Sequence, residues 1–155
     1  MLTTTGTSAV PLIPAAPVIP AVRRFVHRVA APDVMSVPRV RARVRATLEA
    51  WGVPLDTADV LLLAVSELVG NVVRHAGAGR MRVVVASGAD WLRLDVADQG
   101  AGLPRLPAPR AGLDLDAESG RGLLIVQLMA AELGGELSVV AGEFGKSVRV
   151  RIPVA

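Results

Sequence analysis

The chain has 155 residues, 52% hydrophobic and 3% aromatic, with a formal net charge of +3, which is the size of one domain with a substantial core. It has no cysteine and two histidines, His27 and His75, which excludes disulfides, thiolate metal sites and a thiol nucleophile and leaves too little for a histidine-rich metal centre. Aromatics are too scarce to stack single-stranded nucleic acid, and no unbroken apolar run reaches the roughly 18 residues a membrane span needs.

Charge is distributed unevenly. Residues 1–45 carry seven arginines against one acid, Asp33, a net of +6, while residues 46–155 carry ten basic and thirteen acidic groups, a net of −3. A basic front suits an acidic protein partner or nucleic acid, but nucleic acid has no other support here. Ala9 to Val22 is apolar yet holds Pro11, Pro14, Pro17 and Pro20. Prolines at that density break a helix, and no basic residue precedes them to start a signal peptide. Residues 1–21 therefore read as a disordered Ala/Pro/Thr-rich tail and 22–155 as the folded domain. The chain reads as soluble with no membrane contact, and the lack of cysteine fits the cytoplasm.

Val22 to Val29 alternates loosely and predicts a first strand, with three arginines that suit a sheet edge. Ser36 and Pro38 stand where a helix opens, and the pattern carries it to about Trp51-Gly52. Arg39/Arg43 and Arg41/Arg45 are each four apart, predicting two basic ridges on its solvent side. Asp56 or Thr57 can cap the next helix, which runs to about His75 and is apolar on nearly every side, as expected of a helix buried between layers. Two strands follow, Met81 to Ala86 and Trp91 to Ala97. In the second, Leu92, Leu94 and Val96 point one way and Arg93, Asp95 and Ala97 the other, so Asp98 falls on the core side at the strand's end.

Residues 103–119 form a long loop with Pro104, Pro107 and Pro109 near its start, a length usual in lids and binding loops. Gly120-Arg121-Gly122 leads into an apolar helix, Leu123 to Leu133, stopped by Gly134-Gly135. Two last strands, Glu136 to Ala141 and Ser147 to Ile152, are joined through residues 142–146, with Val148, Val150 and Ile152 inward and Arg149 and Arg151 outward.

Three places carry chemistry. Glu67 and Asn71 are four apart, about 40° from each other on one helix face. Among Leu and Val they need a polar destination, which neighbouring backbone or a ligand can supply. An asparagine oxygen can be the one protein ligand of a Mg²⁺ shared with phosphates, and a glutamate one turn back can orient or deprotonate a nucleophile. Asp98, followed by Gly100 and Gly102, can accept from an exocyclic amine while the glycines let a planar base approach; an ordinary Asp-Gly turn is the plainer reading, and the core-facing position argues against it. Gly120-Arg121-Gly122 offers free N–H groups at a helix start, suited to phosphate. Lys146 either approaches the phosphates or tops a hairpin.

In their order, Glu67-x-x-x-Asn71, Asp98-x-Gly100-x-Gly102, Gly120-x-Gly122 and Gly145-Lys146-Ser147-Val148 resemble the boxes of the GHKL (Bergerat-fold) ATPases. Ser66 to Ala76 and Gly120 to Val126 look like the anti-sigma-factor serine/threonine kinase branch, and the likeness covers roughly residues 22–153. It implies an α/β (α+β) two-layer sandwich, a mixed, mostly antiparallel sheet covered on one face by three helices, binding ATP and Mg²⁺. By resemblance, Glu67 is the general base, Asn71 the Mg²⁺ ligand and Asp98 the adenine acceptor. Gly100 and Gly102 flank the base, residues 103–119 form the ATP lid, and Gly120, Arg121, Gly122 and Leu123, with Lys146, belong to the nucleotide site. His75 fits as a supporting residue of its box.

The function so implied is an ATP-dependent protein serine/threonine kinase that binds a sigma factor or similar regulator and phosphorylates an antagonist protein, with a homodimer as one arrangement. A non-catalytic ATP-dependent switch that sequesters a protein partner is the alternative. A histidine-kinase fragment is less favoured, because the stretch before Glu67 holds no dimerisation hairpin or phosphoacceptor histidine. A DNA-binding regulator lacks a recognition motif.

Overall fold

Alternation of apolar and polar residues over short runs yields strands with one buried face, and five strands form the sheet of this computed structural model, with the central β2 and β3 buried on both faces over much of their length. It describes residues 22–75, 79–100 and 121–154, so the proposed tail, the proposed lid, Gly102 and Gly120 lie outside the described residues. The strands are β1 (Arg23–Val29), β2 (Met81–Ser87), β3 (Trp91–Asp98), β4 (Glu136–Ala141) and β5 (Lys146–Pro153), and the helices α1 (Ser36–Ala50), α2 (Leu55–His75) and α3 (Arg121–Glu132). Sheet order is β1-β2-β3-β5-β4. Every pairing among the described residues is antiparallel, which sharpens the expectation of a mixed, mostly antiparallel sheet. β1 takes the edge its arginines suggest.

All three helices pack on one face, giving the two-layer α/β sandwich. α2 lies between α1 and α3 and contacts β3 and β5. Leu61, Val65, Leu68 and Val69 of α2 are buried against Val83, Val85, Leu92, Leu94, Val96, Val150 and Ile152 of the sheet. α1 contributes Val40, Val44 and Leu48, one per turn, and α3 contributes Leu123, Val126 and Ala130. This spacing sets one stripe of each helix toward the core. No described helix is long and apolar enough to cross a membrane.

Helix ends differ in detail from the sequence reading. At α1 the N-cap position is Met35 and no side chain caps the helix; in the turn before it, Asp33 Oδ1 accepts from the Met35 N–H at 2.9 Å and Ser36 Oγ accepts from the Asp33 N–H at 3.0 Å. α2 begins at Leu55, so Asp56 and Thr57 sit inside its first turn. Gly134, with φ of 75°, adopts the left-handed turn that ends α3, and the Gly135 N–H donates to Ala130 O at 2.7 Å, a geometry any side chain would strain.

The basic ridges on α1 also need correction. Arg39, Arg43 and Arg45 are exposed, but Arg41 is half-buried. Its Nη1 donates to Leu62 O at 2.9 Å and to Ser66 Oγ at 2.6 Å on α2. Helical spacing gives the angle of a side chain but not which neighbour stands beside it.

Candidate functional site

Asp98 ends β3 on the helix-covered side because its register continues Leu92, Leu94 and Val96. It is 7% exposed, a position where a carboxylate needs compensation. Lys146, its direct partner in the β3–β5 ladder, supplies this: Nζ lies 3.4 Å from Asp98 Oδ1 and donates to Gly100 O at 3.4 Å. The Gly100 N–H donates to the same Oδ1 at 2.8 Å. Among the described residues, both contacts to the Asp98 carboxylate fall on Oδ1. The other oxygen has no such contact among the described residues.

Gly145, with φ of 143°, sits against this strand end, and a Cβ there would run into the Asp98 carbonyl oxygen. The Gly145-Lys146 pair is therefore set by two demands, close backbone approach and a counter-charge for Asp98. Lys146 belongs at the aspartate end of the site. Both sequence alternatives for it, phosphate approach and hairpin tip, missed this pairing. The signal that could have revealed it was cross-strand register, which a sequence does not display.

A second group forms where α2 meets α3. Gly122, in the first turn of α3, packs so tightly on Glu67 that a Cβ at 122 would occupy the place of the Glu67 carboxylate. Glu67 is half-buried. One turn on, Asn71 Oδ1 accepts from Arg74 Nη2 at 2.7 Å, and the guanidinium of Arg74 also lies over Gly70. Arg74 was not singled out from the sequence, although its i,i+3 spacing from Asn71 is the relevant signal.

The structure thus joins Glu67 to Gly122, Asp98 to Gly100 and Lys146, and Asn71 to Arg74. It does not bring every expected residue to the site surface. Leu123 is 7% exposed and belongs to the core cluster, because the first apolar turn of α3 faces α2 and the sheet. Arg121 and His75 are exposed.

The donor set fits an adenine nucleotide. Asp98 presents a buried acceptor beside a glycine, and the Glu67–Gly122 contact leaves no side chain between a carboxylate and the N-terminal turn of a helix, whose N–H groups favour anionic oxygens. Asn71 carries the kind of neutral oxygen that Mg²⁺ accepts, and a cation there would take the place of the Arg74 guanidinium it now accepts from.

The sequence matches the family described as Histidine kinase-like ATPase domain over residues 21–152. Among curated proteins it is 34% identical over 129 residues to the sensor histidine kinase PdtaS of Mycobacterium tuberculosis, covering 79% of this chain and 24% of that protein. It is 33% identical over 119 residues to the blue-light-activated histidine kinase 2 of Erythrobacter litoralis, covering 73% of this chain and 32% of that protein. The chain therefore spans about a quarter to a third of the length of these relatives. Among solved structures, the histidine kinase domain of an Erythrobacter litoralis blue-light activated kinase superposes with a TM-score of 0.53 at 25% identity, covering 81% of this chain and 64% of that one. A structure of RsbU and RsbW domains from Mycobacterium tuberculosis shares the fold with a TM-score of 0.58 at 18% identity, covering 84% of this chain and 33% of that one. With its antiparallel sheet under three helices, the chain belongs to the histidine kinase-like ATPase domain family, an ATP-binding domain of GHKL fold.

Proposed function

We propose that this domain is an ATP-dependent protein kinase of the anti-sigma-factor serine/threonine type, acting in the cytoplasm on a protein partner. The observation that supports this reading is the packing of the Glu67 carboxylate on Gly122, beside a helix turn suited to phosphate oxygens. Asp98 accepts from the adenine amine, with Gly100 and Gly102 beside the base. Gly120, Arg121 and Gly122 lie along the phosphates, and residues 103–119 cover them. Lys146 neutralises Asp98 and acts on the nucleotide through it. Leu123 anchors the helix start. Asn71 would hold Mg²⁺, which when bound neutralises phosphate charge.

In the transfer step, Glu67 takes the proton of the attacking serine or threonine hydroxyl. The hydroxyl oxygen forms a bond to the γ-phosphorus, the bond to the β–γ bridging oxygen breaks, and ADP leaves. A sigma factor or similar regulator, and an antagonist bearing the acceptor serine, are the partners this reading requires. The basic residues Arg39, Arg43 and Arg45 of α1 are exposed and suit an acidic partner surface or a second copy of the chain.

The curated relatives described above are histidine kinases, and this favours a second reading in which the acceptor is a histidine on another segment or protein. The two separate chemically. Incubation with radiolabelled ATP, Mg²⁺ and candidate partners should give an acid-stable phosphoprotein if the acceptor is a hydroxyl and an acid-labile one if it is imidazole. Glu67→Ala should retain nucleotide and lose transfer to a hydroxyl, whereas normal phosphorylation by that variant removes the base assignment. ATP binding without transfer to any partner supports the non-catalytic switch instead.

A further inference from the structure

The side of the sheet away from the helices is not a uniformly solvated surface. The strand registers set residues of all five strands into rows across it. Arg28, Arg82, Ala97, Ser147 and Val140 are successive partners in one row, and Val26, Val84, Asp95, Arg149 and Ser138 in the next. A cavity of about 160 Å³ opens here, lined by Arg24, Arg82, Arg93, Arg149, Asp95 and Ser147 among others. Four arginines and a single carboxylate thus share its lining.

That carboxylate is fully engaged. Asp95 is 7% exposed, with Arg93 Nε at 2.8 Å from one oxygen and Arg149 Nε at 2.6 Å from the other. It fixes the two arginines and leaves the cavity with net positive charge. Arg24 has no hydrogen bond or ion pair among the described residues.

Of three buried polar atoms in the wall without a hydrogen bond, Arg93 Nε keeps its ion pair with Asp95 and two have no partner. Arg82 Nε and Ser147 Oγ are buried and make no hydrogen bond, an arrangement that native structures ordinarily resolve with a ligand or water. The Arg82 guanidinium is held in place over the Phe144 ring, 4.8 Å from its centroid. Arg82 and Ser147 both pair with Ala97, from opposite sides. A short methyl side chain therefore floors the gap between two unmet donors, and a third and fourth set of donors stand in the neighbouring rows.

We propose that this cavity is a second ligand site, on the opposite side of the sheet from Asp98, and that it takes a phosphoryl group. An oxyanion with oxygens directed several ways answers donors arriving from β2, β3 and β5, whereas a carboxylate holds its acceptor sites in one plane. Guanidinium groups bind phosphate through paired N–H bonds, and the volume accommodates an ion that replaces a few waters. The same chemistry is offered by inorganic phosphate and by a phosphorylated serine side chain.

Amide NMR titration of the whole chain tests this. Inorganic phosphate and N-acetyl-phosphoserine amide would each be added at about pH 7.5 and constant ionic strength, where the phosphoryl group is largely dianionic. Saturable shifts are expected at Arg82, Ala97, Phe144 and Ser147, and the tighter of the two probes identifies the source. Arg82→Gln and Ser147→Ala should each weaken binding about tenfold or more, consistent with loss of a charge-assisted or buried donor. Ser147→Ala is the decisive variant, since removal of an unpaired buried hydroxyl should leave the unliganded protein as stable as before or more so. The proposal fails if neither probe gives saturable shifts, or if chloride or acetate produces the same response. It also fails if the shifts fall only on Glu67, Asn71 and Gly122, or if both variants bind as the parent does.

Discussion

Gly122 and Glu67 show how one missing methyl group can matter as much as a charged side chain. With the carboxylate lying where a Cβ would stand, Gly122→Ala must push Glu67 away from the turn it abuts. Misplacing a positioned catalytic group typically costs on the order of 10²-fold. With Glu67 as the proposed base, Gly122→Ala is expected to lower phosphoryl transfer by about that factor while the domain stays folded, checked by initial rates beside circular dichroism. A variant with undiminished transfer would show that Glu67 has no role in it. At the other end of the site, Asp98→Asn keeps the shape but removes the counter-charge of Lys146 and turns one acceptor oxygen into a donor. ATP affinity should fall at least about tenfold, equivalent to ~1.4 kcal/mol, as read by calorimetric titration. Glu67, Gly122 and Asp98 were singled out in the sequence by type and spacing. The identity of their contacts was not legible there, because Glu67 and Gly122 are 55 positions apart and Asp98 meets Lys146 only through strand register.

Between elements, polar contacts at half-buried positions decide how helices sit on each other. Arg41 reaches from α1 to a carbonyl and a hydroxyl of α2, so Arg41→Met should leave both acceptors less well satisfied. Hydrogen bonds from charged donors contribute about 1.5–3 kcal/mol, and a loss toward the lower end of that range is expected in urea unfolding. An unchanged midpoint would place Arg41 among the solvated arginines of its ridge.

The β1–α1 pair carries a pH effect. Burial, and secondarily the Arg43 guanidinium, hold the His27 imidazole below its usual value. The unfolded chain then takes up this proton more readily than the native one, so His27 lowers stability as the pH falls through its ordinary value of about 6.5, and the effect levels off once the native imidazole also protonates. Urea unfolding at about pH 7.5 and about pH 5.5 should show a smaller acid loss for His27→Gln than for the parent. Equal losses in the two proteins would sink this account. Both helix-level features lie at contacts between segments, and the periodicity that defines each helix carries no information about them.

Across the molecule, nucleotide and fold should be linked. A ligand that binds only the native state raises its stability by about 2.7 kcal/mol at a hundredfold excess over the dissociation constant. ATP with Mg²⁺ should accordingly raise the melting temperature of the chain by several degrees and that of Asp98→Asn far less. A parent protein indifferent to ATP would contradict the proposed pocket.

The division between sequence and tertiary structure follows from the range of the forces concerned. Alternation with a period of two, apolar stripes at helical spacing and glycine stops are local properties. They were enough to place eight elements, turn Asp98 inward and align four motifs with an ATPase family. Strand order, the pairing of Asp98 with Lys146, the anchoring of Arg41 and the arginine-lined cavity around Asp95 depend on residues distant in the chain meeting across a ladder or helix contact. Only closure of the sheet and packing of its helices brings those groups within the few ångströms over which hydrogen bonds and ion pairs act.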